Sequence, residues 1–164
     1  MNIVIKKLSI IDGVLITKLD QITDERGTLL HMFRSDEVEF VKFGECYFSE
    51  ILPSAIKAWK RHHKQTQNLA APVGSIRLVI YDNRENSATF GNIEILELGR
   101  PDDYYRVRIP PGLWYGFTCT SEVPALLANC SDLPHDPSDC EIIEFGDKSI
   151  PYSWTKDINW KEGE

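Results

Sequence analysis

Ile109-Pro110-Pro111-Gly112-Leu113-Trp114-Tyr115-Gly116-Phe117 decides how the rest of this chain is read. Pro110 and Pro111 have no amide hydrogen to give to a β-ladder, so strand pairing has to stop there. Gly112 takes positive φ without steric cost and permits a tight reversal. Strand-forming sequence on either side makes a strand–turn–strand unit, and such a turn at a barrel mouth would aim Trp114 or Tyr115 into the interior. Taken alone, the same residues also read as a hairpin corner with aromatic core filler.

Moving outward, the same punctuation recurs. Leu8 to Leu19 is β-rich and interrupted by Asp12-Gly13. Asp24-Glu25-Arg26-Gly27 signals a turn before a strand at Thr28 to Phe33. Cys46 to Ile51 alternates, with Glu45, Tyr47 and Ser49 on one face. Ile76 to Tyr81, Ile93 to Leu98, Tyr104 to Ile109, Phe117 to Thr120 and Ala125 to Cys130 follow, with Gly, Pro, Asp or Asn between them. This spacing is the rhythm of an all-β sandwich or barrel. Helical periodicity is confined to a short turn near Ser35 to Val41 and the tail from Ile150, so the expectation is a jelly-roll barrel with a short helical or irregular C-terminal tail.

At 164 residues the chain is expected to be one domain spanning 1–164. No apolar run is long enough to cross a bilayer as a helix. The N-terminus lacks the order of a signal peptide. Cys46, Cys119, Cys130 and Cys140 form no C-x-x-C pair, so reduced thiols and a cytoplasmic location are expected. Eighteen basic against 25 acidic side chains give a net charge of −7, which argues against a general nucleic-acid or anionic-membrane surface. Within that acidic chain, Lys57, Lys60, Arg61 and Lys64, with His62 and His63 among them, are the densest basic cluster. They read either as a pocket for an anionic ligand or as a solvated strand end. Residues two apart on a strand share a face, so Lys60 and His62 point one way and Arg61 and His63 the other.

Five segments now carry a resemblance: Asp24 to Gly27, Lys57 to Gln67, Tyr81 to Gly91 with its Asp-x-Arg-x-x-Ser-x-Thr-Phe-Gly run, Ile109 to Phe117, and Asp147 to Trp154. In this order they resemble the dTDP-4-dehydrorhamnose 3,5-epimerase family of cupin-fold nucleotide-sugar enzymes, near its sugar 3,4-ketoisomerase-like branch. The resemblance implies a cupin-like jelly-roll homodimer. It would bind a dTDP-4-keto-6-deoxy sugar in the barrel mouth and need no cofactor. A base removes a proton beside the C4 ketone, an acid on the opposite face returns one, and nearby cations steady the enolate and diphosphate.

Carried over residue by residue, the resemblance puts Lys60 at the position of the family's catalytic histidine and His62 at the second histidine of the ketoisomerase-like branch. Tyr115 stands where a turn histidine is expected, Asn129 stands in place of the tyrosine, and Asp147 matches the base-orienting aspartate. The catalytic expectation is therefore His62 as base, Tyr115 as acid, Asp147 as orienter and Lys60 as cation or base. Arg26, His31, Glu45, Tyr47, Ser49, Lys57, Gln67 and Asn129 are the expected substrate contacts, while Trp154 and Trp160 read as packing or dimer contacts. A cupin metal site needs three or four converging His/Glu ligands. Adjacent His62 and His63 face apart, and Tyr115 and Gln67 are not such ligands, so no metal is expected. The competing reading is a non-catalytic nucleotide-sugar-binding cupin that has lost its base.

Overall fold

The computed structural model describes residues 6–154. Its strands are Lys6–Lys7 (β1), Leu15–Lys18 (β2), Gln21–Asp24 (β3), Gly27–Leu30 (β4), Glu45–Ile51 (β5), Ile56–His62 (β6) and Gln67–Val73 (β7). Ser75–Tyr81 (β8), Ile93–Gly99 (β9), Tyr105–Ile109 (β10), Trp114–Cys119 (β11), Ala125–Ser131 (β12) and Cys140–Ile142 (β13) complete them. A 3-10 turn at Pro137–Asp139 precedes β13. Two antiparallel sheets face each other, one ordered β1-β2-β10-β7-β12-β5 and the other β13-β6-β11-β8-β9, while β3 and β4 form a separate hairpin. The fold is the cupin-like jelly roll that the strand rhythm and the resemblance led us to expect.

The reason lies in the period-2 alternation. Ile16, Leu69, Val107 and Leu127 of the first sheet meet Leu78, Ile80, Leu96 and Phe117 of the second in one buried apolar core. The outer face of the second sheet has its own cluster of Trp59, Val79, Tyr81, Trp114, Ile150 and Trp154. Ile150 to Trp154 is the described part of the tail. It is irregular and lies against the back of β6 and β11, whereas Trp160 lies outside the described residues.

The deciding stretch differs from a hairpin corner. β10 pairs with β2 and β7 in one sheet, and β11 pairs with β6 and β8 in the other. Pro110 to Leu113 is therefore an arch that carries the chain between sheets. Gly112 takes φ 88° there, and its N–H donates to the His62 carbonyl at 2.7 Å, fastening the arch to the end of β6. Beyond it Tyr115 joins the inter-sheet core while Trp114 joins the outer cluster. The Ser35 to Val41 segment forms turns with no helix.

Candidate active site

β6 does not alternate strictly. Tyr115 stands opposite Lys60, but Phe117 stands opposite Lys57, so β6 holds one residue more than β11 between the two pairs. The register slip at Ala58-Trp59 puts both Lys57 and Lys60 on the inner face, where alternation would have separated them. Close packing behind it comes from Gly116, where an added Cβ would sit 2.3 Å from the Ala58 Cβ.

The two lysines open onto a cavity of about 250 Å³ between the sheets. Lys57, Lys60, Tyr115, Phe117 and Ile142 form one wall, and Tyr47, Ser49, Leu69, Leu127 and Asn129 form the other. The Lys57 ammonium is committed, donating to Ser49 Oγ at 2.8 Å and to the Glu50 carbonyl at 2.7 Å. No hydrogen bond ties the Lys60 amine among the described residues.

His62 faces inward beyond Lys60 but lines the cavity only indirectly. It is 6% exposed, stacked on the Tyr115 ring at 6.3 Å between centroids with 19° between planes. Its Nδ1 lies 3.5 Å from Asp139 Oδ2, and that carboxylate oxygen also accepts the Gln65 N–H at 3.1 Å. Burial, then the Lys60 charge, holds the imidazole below its ordinary pKa, with Asp139 pulling the other way. Burial, followed by Tyr47 and Cys140, pushes the Tyr115 phenol far above its ordinary value.

The opposite wall is a chain of amides. Gln65 Nε2 donates to Ser131 Oγ and the Leu133 carbonyl, and Gln67 Nε2 donates to Gln65 Oε1 at 2.7 Å. Asn129 Nδ2 donates to Gln67 Oε1 at 2.5 Å and to the Tyr47 hydroxyl oxygen at 2.9 Å. Asn129 Oδ1 accepts the Asn68 N–H at 3.1 Å, which fixes the way its amide faces.

Of the expected residues, Lys60, Tyr115, Lys57, Tyr47, Ser49 and Asn129 meet at the cavity, with His62 and Gln67 packed behind it. Asp147 does not join them. It lies on an outer turn, accepting the Ser149 N–H at 2.8 Å and bordering a different depression with Phe145 and Trp154. Asp139 holds the place beside His62 that Asp147 was expected to fill. Arg26 is also elsewhere. At the tip of the β3–β4 hairpin its guanidinium pairs with Asp24 at 2.6 Å and is exposed. His31 lies before the loop that crosses the first sheet's outer face, where its carbonyl accepts from the Tyr104 hydroxyl. Glu45 lies at the far end of β5, opposite Ser131.

Sequence reading missed Asp139 and Cys140. Cys140 stands opposite His62 on β13, and burial raises its thiol pKa while the Lys60 charge lowers it. The signal for this segment was Asp136-Pro137-Ser138, a cap followed by proline at the first helical position. Asp82 also proves structural. Burial alone would raise its pKa, but hydrogen bonds from Arg84, Ser87 and Thr89 overcome that and hold it well below the usual carboxylate range. The motif Asp-x-Arg-x-x-Ser-x-Thr thus closes the β8–β9 loop. Among the described residues no three His, Cys, Asp or Glu side chains converge as a metal site.

The family model for dTDP-4-dehydrorhamnose 3,5-epimerase matches residues 9–163. The chain is 35% identical over 140 residues to the probable low-salt glycan biosynthesis epimerase Agl13 of Haloferax volcanii, covering 83% of this chain and 89% of that protein. It is 31% identical over 150 residues to the spore coat polysaccharide biosynthesis protein SpsL of Bacillus subtilis, covering 90% of this chain and 99% of that one. A crystal structure of a dTDP sugar isomerase from Desulfovibrio desulfuricans superposes with a TM-score of 0.89 at 48% identity, covering 91% of this chain and 95% of the other. With the match running over nearly its whole length and the same jelly roll beneath it, this chain belongs to the dTDP-4-dehydrorhamnose 3,5-epimerase family.

Proposed function

We propose that the chain isomerises a dTDP-4-keto-6-deoxy sugar, as epimerase or ketoisomerase, in the synthesis of a cell-surface polysaccharide. The observation that carries this reading is the Lys60 amine, unpaired among the described residues and facing an inter-sheet cavity whose other cation, Lys57, is already bonded to Ser49 and the Glu50 carbonyl. A C–H beside a ketone is acidified because its electron pair spreads onto oxygen. Lys60 Nζ takes that proton, and the ammonium formed by the transfer sits beside the enolate it has created. His62 stays neutral behind Tyr115 and supports that ring. The cavity has room for a hexose ring, which leaves the nucleotide and diphosphate at its mouth, near Lys57. None of the relatives described above bears a name that favours the non-catalytic reading.

We place the reaction in the cytoplasm. All four cysteines are free thiols, even Cys46 and Cys130, which stand opposite each other with sulfurs 3.4 Å apart. A homodimer accords with the β3–β4 hairpin, which joins neither sheet's ladder and leaves Ile22 and Leu29 exposed, and with β5, an open edge bearing an exposed Phe48.

The test is incubation of a dTDP-4-keto-6-deoxy sugar in heavy water. The protein is expected to bring deuterium onto carbon next to the ketone, and Lys60→Met to lower that rate by roughly 10²-fold or more. A folded wild-type protein that neither exchanges the sugar's hydrogens nor is stabilised by thymidine diphosphate would overturn the proposal.

A further inference from the structure

Inversion at a carbon beside a ketone needs two proton-handling groups on opposite faces of the sugar. The register decides which residues can be such a pair. Tyr115 stands opposite Lys60 on neighbouring strands of one sheet, so the two share a wall and reach the same face. Tyr47 lies on β5, in the other sheet, and borders the same cavity from across it. Its hydroxyl oxygen accepts a hydrogen bond from Asn129, which stands opposite it on β12.

That bond has a direction. The Asn68 N–H holds Asn129 Oδ1, so the Asn129 amide must present hydrogens to Gln67 and to Tyr47. The Tyr47 oxygen is thereby used as an acceptor, and its own hydrogen stays available for donation. Gln67 is fixed in turn by Gln65, which is fixed by Ser131 and the Leu133 carbonyl.

Resting on the isomerase reading above, the geometry points to Tyr47 as the catalytic acid that reprotonates the enolate on the face away from Lys60, with Asn129 as the residue that positions its hydroxyl. The C–H bond breaks toward Lys60 Nζ and its electron pair passes to the C4 oxygen. The electron pair then returns to carbon, a new C–H bond forms with the Tyr47 proton, and the phenolate left behind takes a proton from water while the Lys60 ammonium gives one up. Tyr115 belongs to the Lys60 wall and cannot supply the opposite face. This reassigns the acid from Tyr115 to Tyr47, a residue the sequence marked only as a sugar contact.

The experiment compares deuterium exchange with inversion, both followed by NMR on the same dTDP-4-keto-6-deoxy sugar. Tyr47→Phe is expected to keep deuterium wash-in, because the proton taken on the Lys60 wall still trades with solvent, while inversion falls at least 50-fold. Tyr115→Phe is expected to keep the wild-type ratio of inversion to exchange, whatever its effect on both rates. Asn129→Asp turns the Tyr47 hydrogen toward a carboxylate and should depress the same ratio, with no further drop when combined with Tyr47→Phe. A purely structural effect of Asn129 would add to that of Tyr47→Phe. Should Tyr47→Phe not fold, Asn129→Asp alone carries the test. Wild-type inversion in a folded Tyr47→Phe, or in Asn129→Asp should that be the only folded variant, sinks the inference. So does an altered ratio in Tyr115→Phe but not in Tyr47→Phe. A wild-type protein with neither exchange nor inversion overturns instead the function on which it rests.

Discussion

His62 is buried against Tyr115 with Asp139 Oδ2 3.5 Å from its Nδ1, and its imidazole pKa is lowered first by that burial and next by the Lys60 charge. The sign of the linkage follows. The native state prefers the neutral ring, so its contribution to stability is complete above the ordinary value near 6.5 and is lost as pH falls through the lower folded value. Between about pH 7 and about pH 5 the thermal midpoint of the wild type should therefore fall more steeply than that of His62→Gln. Parallel slopes in the two proteins would contradict this. Asp139 works against the shift, so Asp139→Asn should lower the His62 titration midpoint further, which NMR of the ring protons would show directly. Residue identity alone marked His62 as the natural base. Only the fold shows that the phenol of Tyr115 lies against it and that Asp139, not Asp147, is its neighbour.

At the scale of elements, strand alternation revealed most of the sandwich and failed where the ladder is irregular. The extra residue in β6 turns Lys57 to the same side as Lys60, and no period-2 reading anticipates that. β13 has three residues, too few for any period to show, and β7 opens on polar Gln67 and Asn68 and carries Pro72. The slip in β6 is held by contact across β11. Gly116→Ala would drive a methyl group into Ala58 and toward Trp154, at a cost of about 1–3 kcal/mol, visible as a lower denaturation midpoint. The loop between β8 and β9 depends on one carboxylate. Asp82→Asn removes the buried charge that Arg84, Ser87 and Thr89 all bond and should cost about 3 kcal/mol or more, with little effect on ligand binding because the loop lies outside the cavity lining. Calorimetry with and without thymidine diphosphate separates those two effects.

For the whole molecule, the turn rhythm and apolar alternation were enough to indicate two packed β-sheets, and the ordered motifs to indicate the family. The wall to which each site residue belongs was not legible, because it depends on which strands become neighbours. That order is set by crossings such as the Pro110 to Leu113 arch. The hairpin β3–β4 bears on assembly. With Ile22 and Leu29 on an arm held by its own two strands, replacing both by Lys should weaken a dimer while leaving the barrel folded. On the homodimer proposed above, sedimentation velocity should show the variant shifted toward monomer relative to the wild type, and an unchanged distribution would assign the contact elsewhere.

Trp59, Trp114 and Trp154 sit together on the back of the sheet whose front carries Lys60 and Tyr115, one residue along the chain from each in the first two cases. The Trp59 and Trp154 rings lie 5.0 Å apart. The protein therefore has a built-in optical gauge. A ligand that shifts β6 or β11 moves Trp59 against Trp154 or Trp114 against the Arg61 guanidinium above it, so native emission can report occupancy of the hollow without a dye or a tag.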